Sequence, residues 1–181
     1  MASAFGHAAF GAALGTWFPS PLQKAKFFLL GMFCTILPDF DVIGFKFGIA
    51  YESFWGHRGF THSFLFALMS ALLITLISYQ KGFSLREKTI LVLYFFICTS
   101  SHSILDAMTS GGHGVALFSP WDDKRIFFDF RPIKVSPIGV KNFFSKWGLE
   151  VIKSEAIWIG IPSFLILITG IAFRRKSGKK I

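Results

Sequence analysis

Five apolar stretches punctuate the chain, at Ala2 to Phe18, Phe27 to Phe40, Thr61 to Tyr79, Thr89 to Met108 and Ala156 to Phe173, separated by charged or Gly/Pro-containing connections. The last three approach the roughly 20 residues that carry an α-helix across a bilayer. The first two are shorter and poorer in Leu and Ile, so they read as tilted spans, as helices packed inside the bundle, or as a hairpin that enters and leaves on one side. In the long connection before the last stretch, "VKNFFSKWGLEVIKS" puts Phe143, Phe144, Trp147 and Val151 on one helical stripe with lysines elsewhere. That is the pattern of a helix lying on a membrane surface. "KRIFFDFRP" suggests a short extended piece. The pattern as a whole predicts an all-α, polytopic membrane bundle of about five spans, with residues 1–181 as one domain. Residues 110–155 form an extracytoplasmic connection and 174–181 a basic tail.

Composition agrees, since 52% hydrophobic residues, 18% aromatics and a mean hydropathy of +0.55 exceed what a soluble fold of 181 residues carries. No Lys or Arg precedes the first apolar stretch and the first basic residue is Lys24, so the N-terminus is expected to be retained rather than cleaved. Cys34 and Cys98 fall inside apolar stretches, where a thiol acts as a small apolar side chain, and they define no disulfide framework. Trp17, Trp55, Trp121, Trp147 and Trp158 sit near the ends of the stretches, as an interfacial aromatic belt does.

Charge orients the bundle. Alternating spans put the N-terminus, Asp39 to Phe60 and Thr109 to Glu155 on one face, and Pro19 to Lys26, Gln80 to Lys88 and the tail from Arg174 on the other. The second face holds ten basic residues against the single acid Glu87, so the formal +9 of the chain resides there. Dense Lys and Arg in short connections mark the cytoplasmic side, which places the long connection outside. Contact with anionic lipid heads accounts for the basic surplus, and no recognition motif accompanies it, so no nucleic-acid partner is expected.

The polar residues of the apolar chain gather on the opposite face, where all five His and all six Asp lie. His7 is one to two turns into the first stretch, Asp39 and Asp41 close the second in "LPDFD", and His57 and His62 open the third in "WGHRGFTHSF". His102 and Asp106 occupy the last two turns of the fourth, with His113 just beyond. Ionisable groups in a span cost roughly 2.5–3.5 kcal/mol each near its centre and are kept mainly for pathways or sites. His102 and Asp106, at i and i+4, project from one helical face about one turn apart and suit a shared ion. His57 and His62 are five apart and share an ion only if His57 lies in the preceding loop. Of Asp39 and Asp41, one is expected to point inward while the other caps, bridges or faces water.

His7, "PDFD", "HRGFTHS", "SHSILDAMTSGG" and "LFSPWDDKRIFF", in this order up to about Phe128, resemble the YdjM-like family of bacterial inner-membrane proteins. What the resemblance implies is a membrane-bound metal-dependent hydrolase in the bacterial inner membrane. That family is distantly similar to the zinc-dependent phospholipase C and P1 nuclease group, helical enzymes with up to three zinc ions, and His102, Asp106 and His113 look like part of their ligand pattern. No N-terminal Trp and no His-x-x-x-Glu near the C-terminus occur here, which reduces the expected complement to one or two ions. A divalent ion of zinc type on mixed imidazole and carboxylate ligands supplies activated water for hydrolysis. Asp39 or Asp41 then bridges ions or takes a proton, and Arg58 holds a phosphate oxygen. From its depth, the site is expected to act on a phosphoester or other ester of a lipid or lipid-linked substrate at the outer face. An ion-handling or transport protein using the same cluster and a non-catalytic metal-binding scaffold are the alternatives.

Overall fold

The structure is a computed structural model that describes residues 1–137 and 140–177; Lys179 and Lys180 of the basic tail lie outside the described residues. Helix α1 (Ala4–Gly15) starts where the Ser3 hydroxyl accepts from the Gly6 amide, one of the donors a helix start leaves unpaired. Helix α2 (Ala25–Ile36) gives way to a 3-10 stretch, Leu37–Phe47, at Pro38. Proline disfavours helical geometry in the residue before it and donates no hydrogen bond. Ser63 caps α3 (Phe64–Ser78), and a reciprocal Ser84–Glu87 capping box opens α4 (Leu85–Ala107). A short helix α5 (Val140–Phe143) precedes α6 (Lys146–Glu155) and α7 (Ile161–Ser177), which are joined through a π-helical segment, Ala156–Gly160.

Three helical runs are long and apolar enough to cross a membrane: Ala25–Phe47, Leu85–Ala107 and Lys146–Arg175, of 23, 23 and 30 residues. Helices α1 and α3 are shorter apolar elements of 12 and 15 residues. The distribution differs from the expected one in two places. The second apolar stretch is lengthened by its 3-10 continuation, and the third loses Thr61 and His62 to the turn before the Ser63 cap. The amphipathic segment around Trp147 is helical, as α6. It continues through the π turn into the last span, because no helix breaker stands between Val151 and Ile159. The widened turn falls directly before Pro162, whose missing N–H and bulky ring disrupt a regular helix at that point. The extended piece expected near Phe127 is reduced to isolated bridges, Thr109 with Ile133 and Val115 with Ile126; the described residues include no strand.

Helix α4 lies at the centre, packed on α1, α2 and α3, while α7 packs on the outer side of α1. Its cytoplasm-proximal half, on the expected orientation, is sealed by a core of Phe27, Cys34, Ala71, Leu91, Tyr94, Phe95 and Cys98, in which both cysteines are free thiols. The Tyr94 ring stacks on Phe27 with centroids 4.0 Å apart and its hydroxyl donates to the Gly11 carbonyl at 3.1 Å. Leu72, Leu73, Leu76 and Ile77 on α3 and Phe164, Leu165 and Ile168 on α7 are exposed, as lipid-facing residues of a small bundle must be.

Candidate metal centre

Three chain segments meet at one level and bring four polar residues together. Pro38 stops α2 and presents Asp39; the short 3-10 turn Phe60–His62 presents His62; the last two turns of α4 present His102 and Asp106. One donor atom from each of these four lies within 4.8 Å of all the others. Five of the six separations are 3.1 Å (His62 Nε2 to His102 Nε2), 3.3 and 3.6 Å (Asp39 Oδ1 to His102 and His62) and 3.8 and 3.9 Å (Asp106 Oδ2 to His62 and His102). Bonds of about 2.0–2.1 Å in tetrahedral geometry separate donors by about 3.4 Å, so the four atoms surround a space of the size an ion such as zinc takes. Two carboxylates and two neutral imidazoles sum to the charge that a divalent cation neutralises. All four residues are buried.

The supporting contacts aim the imidazoles. His102 Nδ1 lies 2.7 Å from the Thr35 carbonyl, which only accepts, so Nδ1 carries the proton and Nε2 presents its lone pair to the cluster. His62 Nδ1 lies 3.2 Å from Asp41 Oδ2 and 3.1 Å from Thr61 Oγ1, which gives its Nε2 the same role. Two imidazole Nε2 atoms at 3.1 Å need a proton or a metal ion between them, since two bare lone pairs would repel. Asp106 is fixed by the Ala2 amide on Oδ1 at 2.8 Å and by Arg58 Nε beside Oδ2 at 3.0 Å. Asp39 differs: neither of its oxygens has a hydrogen-bond partner. A buried carboxylate without donors is costly and points to a missing positive partner.

His7 of α1 stacks on His102 with ring centroids 3.9 Å apart, and its Nε2 is 3.4 Å from Asp106 Oδ1. Neither His7 nitrogen has a hydrogen-bond partner, so His7 stands beside the four donors as a further unpartnered base.

The remaining expected site residues lie elsewhere. Asp41 turns away from Asp39 and accepts from His57 Nδ1 (2.7 Å), Thr61 Oγ1 (2.7 Å) and the Arg58 amide (3.1 Å). Asp41, His57 and His62 are also close enough to share an ion, but here the carboxylate is satisfied by donors, whereas Asp39 is bare. Burial pushes the His57 imidazole below its ordinary pKa against the pull of Asp41, consistent with a neutral ring donating through Nδ1. Arg58, expected to hold substrate phosphate, is fully buried, and its guanidinium donates to the Gly111 carbonyl at 2.9 Å and Thr109 Oγ1 at 3.0 Å besides facing Asp106. Gly112, at φ 93°, lets the chain pass here, since a Cβ at that position would lie 2.5 Å from an Arg58 nitrogen. His113 is exposed and pairs with Glu52 at 2.6 Å, apart from the cluster.

Three contributors escape a reading of the residues one by one. Thr35 acts through its carbonyl, which any residue has, so no side-chain signal marks it. Arg125 donates to the carbonyls of His57, Tyr51 and Ser53 and so clasps the loop that carries His57; its position within "WDDKRIFF" is the only cue. Glu155 accepts from the Ser3 amide and hydroxyl at the start of α1, and as an acid at the mouth of an apolar stretch it is conspicuous once an intramembrane charge is treated as a signal.

Comparison with known proteins gives this arrangement a family. The model of the YdjM inner membrane protein family matches residues 1–177. The chain is also 36% identical over 169 residues to the inner membrane protein YbcI of Escherichia coli strain K12, covering 92% of this chain and 95% of that one. No solved structure matches. The chain therefore belongs to the YdjM inner membrane protein family and is a multi-pass protein of the inner membrane.

Proposed function

We propose that this YdjM-family protein is a metal-dependent hydrolase that cleaves a phosphoester or other ester of a membrane lipid or lipid-linked substrate at the outer face of the cytoplasmic membrane. The observation that carries the reading is the set of four buried donors, Asp39, His62, His102 and Asp106, spaced for one divalent ion and with Asp39 unpartnered in its absence. Mixed imidazole and carboxylate donors suit zinc among the common divalent ions, and the absence of Cys from the set separates it from the usual structural zinc site. When bound, such an ion polarises an ester oxygen and brings the pKa of a coordinated water from 15.7 to about 7.

The chain's own residues prepare the site for this. Thr35 and Asp41 fix the two imidazoles, and Arg58 and the Ala2 amide fix Asp106, so three donors stand in place before an ion arrives. Arg58 takes this holding role in place of the phosphate-binding one. The apolar core around Tyr94 and Phe95 closes the other half of the bundle and offers no polar continuation, which favours a site over a transport path. The lipid substrate follows from the depth of the cluster within apolar helices, and anionic lipids are the natural contact of the basic rim around Lys24, Lys26, Lys81, Arg86 and Lys88.

The test is the metal content of detergent-purified protein, followed by release of headgroup or phosphate from phospholipids and carboxylester lipids. One divalent ion per chain that is lost in His102→Ala, with turnover lost in parallel, is the expected outcome. A wild-type chain with no more bound metal than His102→Ala rules the reading out.

A further inference from the structure

The four donors are not equally held, and the inequality assigns them different roles. His62, His102 and Asp106 each have a second polar contact that fixes their direction: Asp41 and Thr61 for His62, the Thr35 carbonyl for His102, and Arg58 with the Ala2 amide for Asp106. Asp39 has none outside the cluster and neither of its oxygens accepts a hydrogen bond, whereas Asp106, whose Oδ2 also lacks one, is held by the Ala2 amide on Oδ1 and by its ion pair with Arg58. The Asp39 side chain retains 7% exposure where the other three retain 0%, with both of its oxygens covered. It also sits on the 3-10 stretch Leu37–Phe47, whose residues Phe40, Ile43 and Phe47 are exposed apolar groups.

From these observations we infer that Asp39 is the exchangeable ligand of the centre, the carboxylate that yields its coordination position to an anionic oxygen of a phosphate, while His62, His102 and Asp106 form the permanent seat. This inference rests on the metal-centre reading and deepens it. Ligands whose orientation is fixed by neighbouring contacts stay put, because moving them breaks two interactions at once. Asp39 loses only its bond to the ion. The exchange would involve no covalent step: with an ion bound, the Asp39 oxygen would leave it, a phosphate oxygen would take its place, and the displaced carboxylate would remain beside the other three donors. Four protein donors otherwise fill a tetrahedral ion, leaving no place for a substrate.

Cobalt(II)-loaded protein in detergent reads both parts of the assignment, with metal affinity from competition with a chelator and phosphate entry from the visible absorption band. Inorganic phosphate is the probe, beside phosphatidic acid in mixed micelles. Asp39→Asn and Asp39→Ala are expected to keep one ion with an affinity loss of no more than about 100-fold, the scale of losing a supporting contact, while His102→Ala loses more. Phosphate should bind the Asp39 variants more tightly than wild type. Asp129→Asn removes the same charge at an exposed position outside the cluster and should leave phosphate affinity within about two-fold of wild type. Tighter binding of phosphatidic acid than of inorganic phosphate assigns a lipid headgroup as the source, and the reverse assigns free phosphate; a response to either depends on Asp39. Loss of metal in Asp39→Asn as complete as in His102→Ala overturns the inference while leaving the metal centre standing, as does equal tightening in Asp129→Asn or no response to either probe. A wild-type chain that takes up no ion overturns both.

Discussion

Arg58 takes φ 64°, the only non-glycine residue with positive φ among those described, and its guanidinium is fully buried against Asp106. A side chain in that backbone region costs on the order of 1–2 kcal/mol, which persists only when the surroundings over-determine it. The contacts with Asp106, Gly111, Thr109 and Asp41 do so. Arg58→Ala leaves the buried Asp106 charge unpaired and is expected to destabilise the metal-free protein by about 3–5 kcal/mol, less when an ion is present to take the arginine's place. Denaturation in detergent with and without zinc checks this. An equal loss in both conditions contradicts the pairing. Arg58→Gly should cost less than Arg58→Ala by about 1 kcal/mol, because it removes the backbone strain that alanine keeps. His102→Ala and Asp106→Ala should each strip the ion while the protein still inserts, and retention of wild-type metal by both variants would remove the best pair from the site.

At the level of elements, the centre depends on how α1 and α2 are held. Helix α1 is tied at its start to Glu155 through Ser3 and to Asp106 through the Ala2 amide, so its His7 is set by contacts with both α6 and α4. Glu155→Ala removes two hydrogen bonds to a carboxylate and is expected to cost about 2 kcal/mol, read by chemical denaturation, with faster proteolysis of the N-terminus. Helix α2 approaches α4 closely at Gly31, where an added Cβ meets the Tyr94 ring and hydroxyl. Gly31→Ala should therefore lose about 1–3 kcal/mol by overpacking and weaken the Tyr94 bond to the Gly11 carbonyl. Unchanged stability would mean that Tyr94 has room to move.

For the whole molecule, we propose an orientation relative to the bilayer from charge: the tail from Arg174 and the Gln80–Lys88 connection carry the basic excess, which favours the cytoplasmic side. A reporter fused after Ile181 is expected to be active only in its cytoplasmic form, and a cysteine placed near Lys134 should react with an impermeant reagent in intact spheroplasts. Reaction only after lysis inverts the topology and moves the metal centre to the cytoplasmic face. The exposed apolar faces of α3 and α7 fit a small bundle whose outer surface meets lipid on most sides.

What the sequence determined by itself was what local chemistry writes into neighbouring residues. Apolar runs specified helices, because in lipid a chain must close its own hydrogen bonds. Pro38 marked where a helix stops, and the i, i+4 spacing of His102 and Asp106 put them on one face, whereas the Ser63 and Ser84 caps moved two helix starts away from the expected Thr61 and Thr89. The convergence of His and Asp on a single level was legible too, since it follows from alternating helix directions alone. Tertiary structure decided what depends on rotation about bonds and on partners distant in the chain. Asp39 and Asp41 are two residues apart and chemically identical, yet one faces the empty centre and the other accepts from His57, Thr61 and the Arg58 amide. Arg58 was expected to hold a phosphate oxygen and is enclosed because Gly111 and Thr109, more than 50 residues later, fold over it. His113 followed the expected spacing but lies beyond the end of α4, where the turn through Gly112 and Gly114 carries it to the surface. Residue type and spacing select the groups able to bind an ion, and only the packed chain fixes which lone pairs meet.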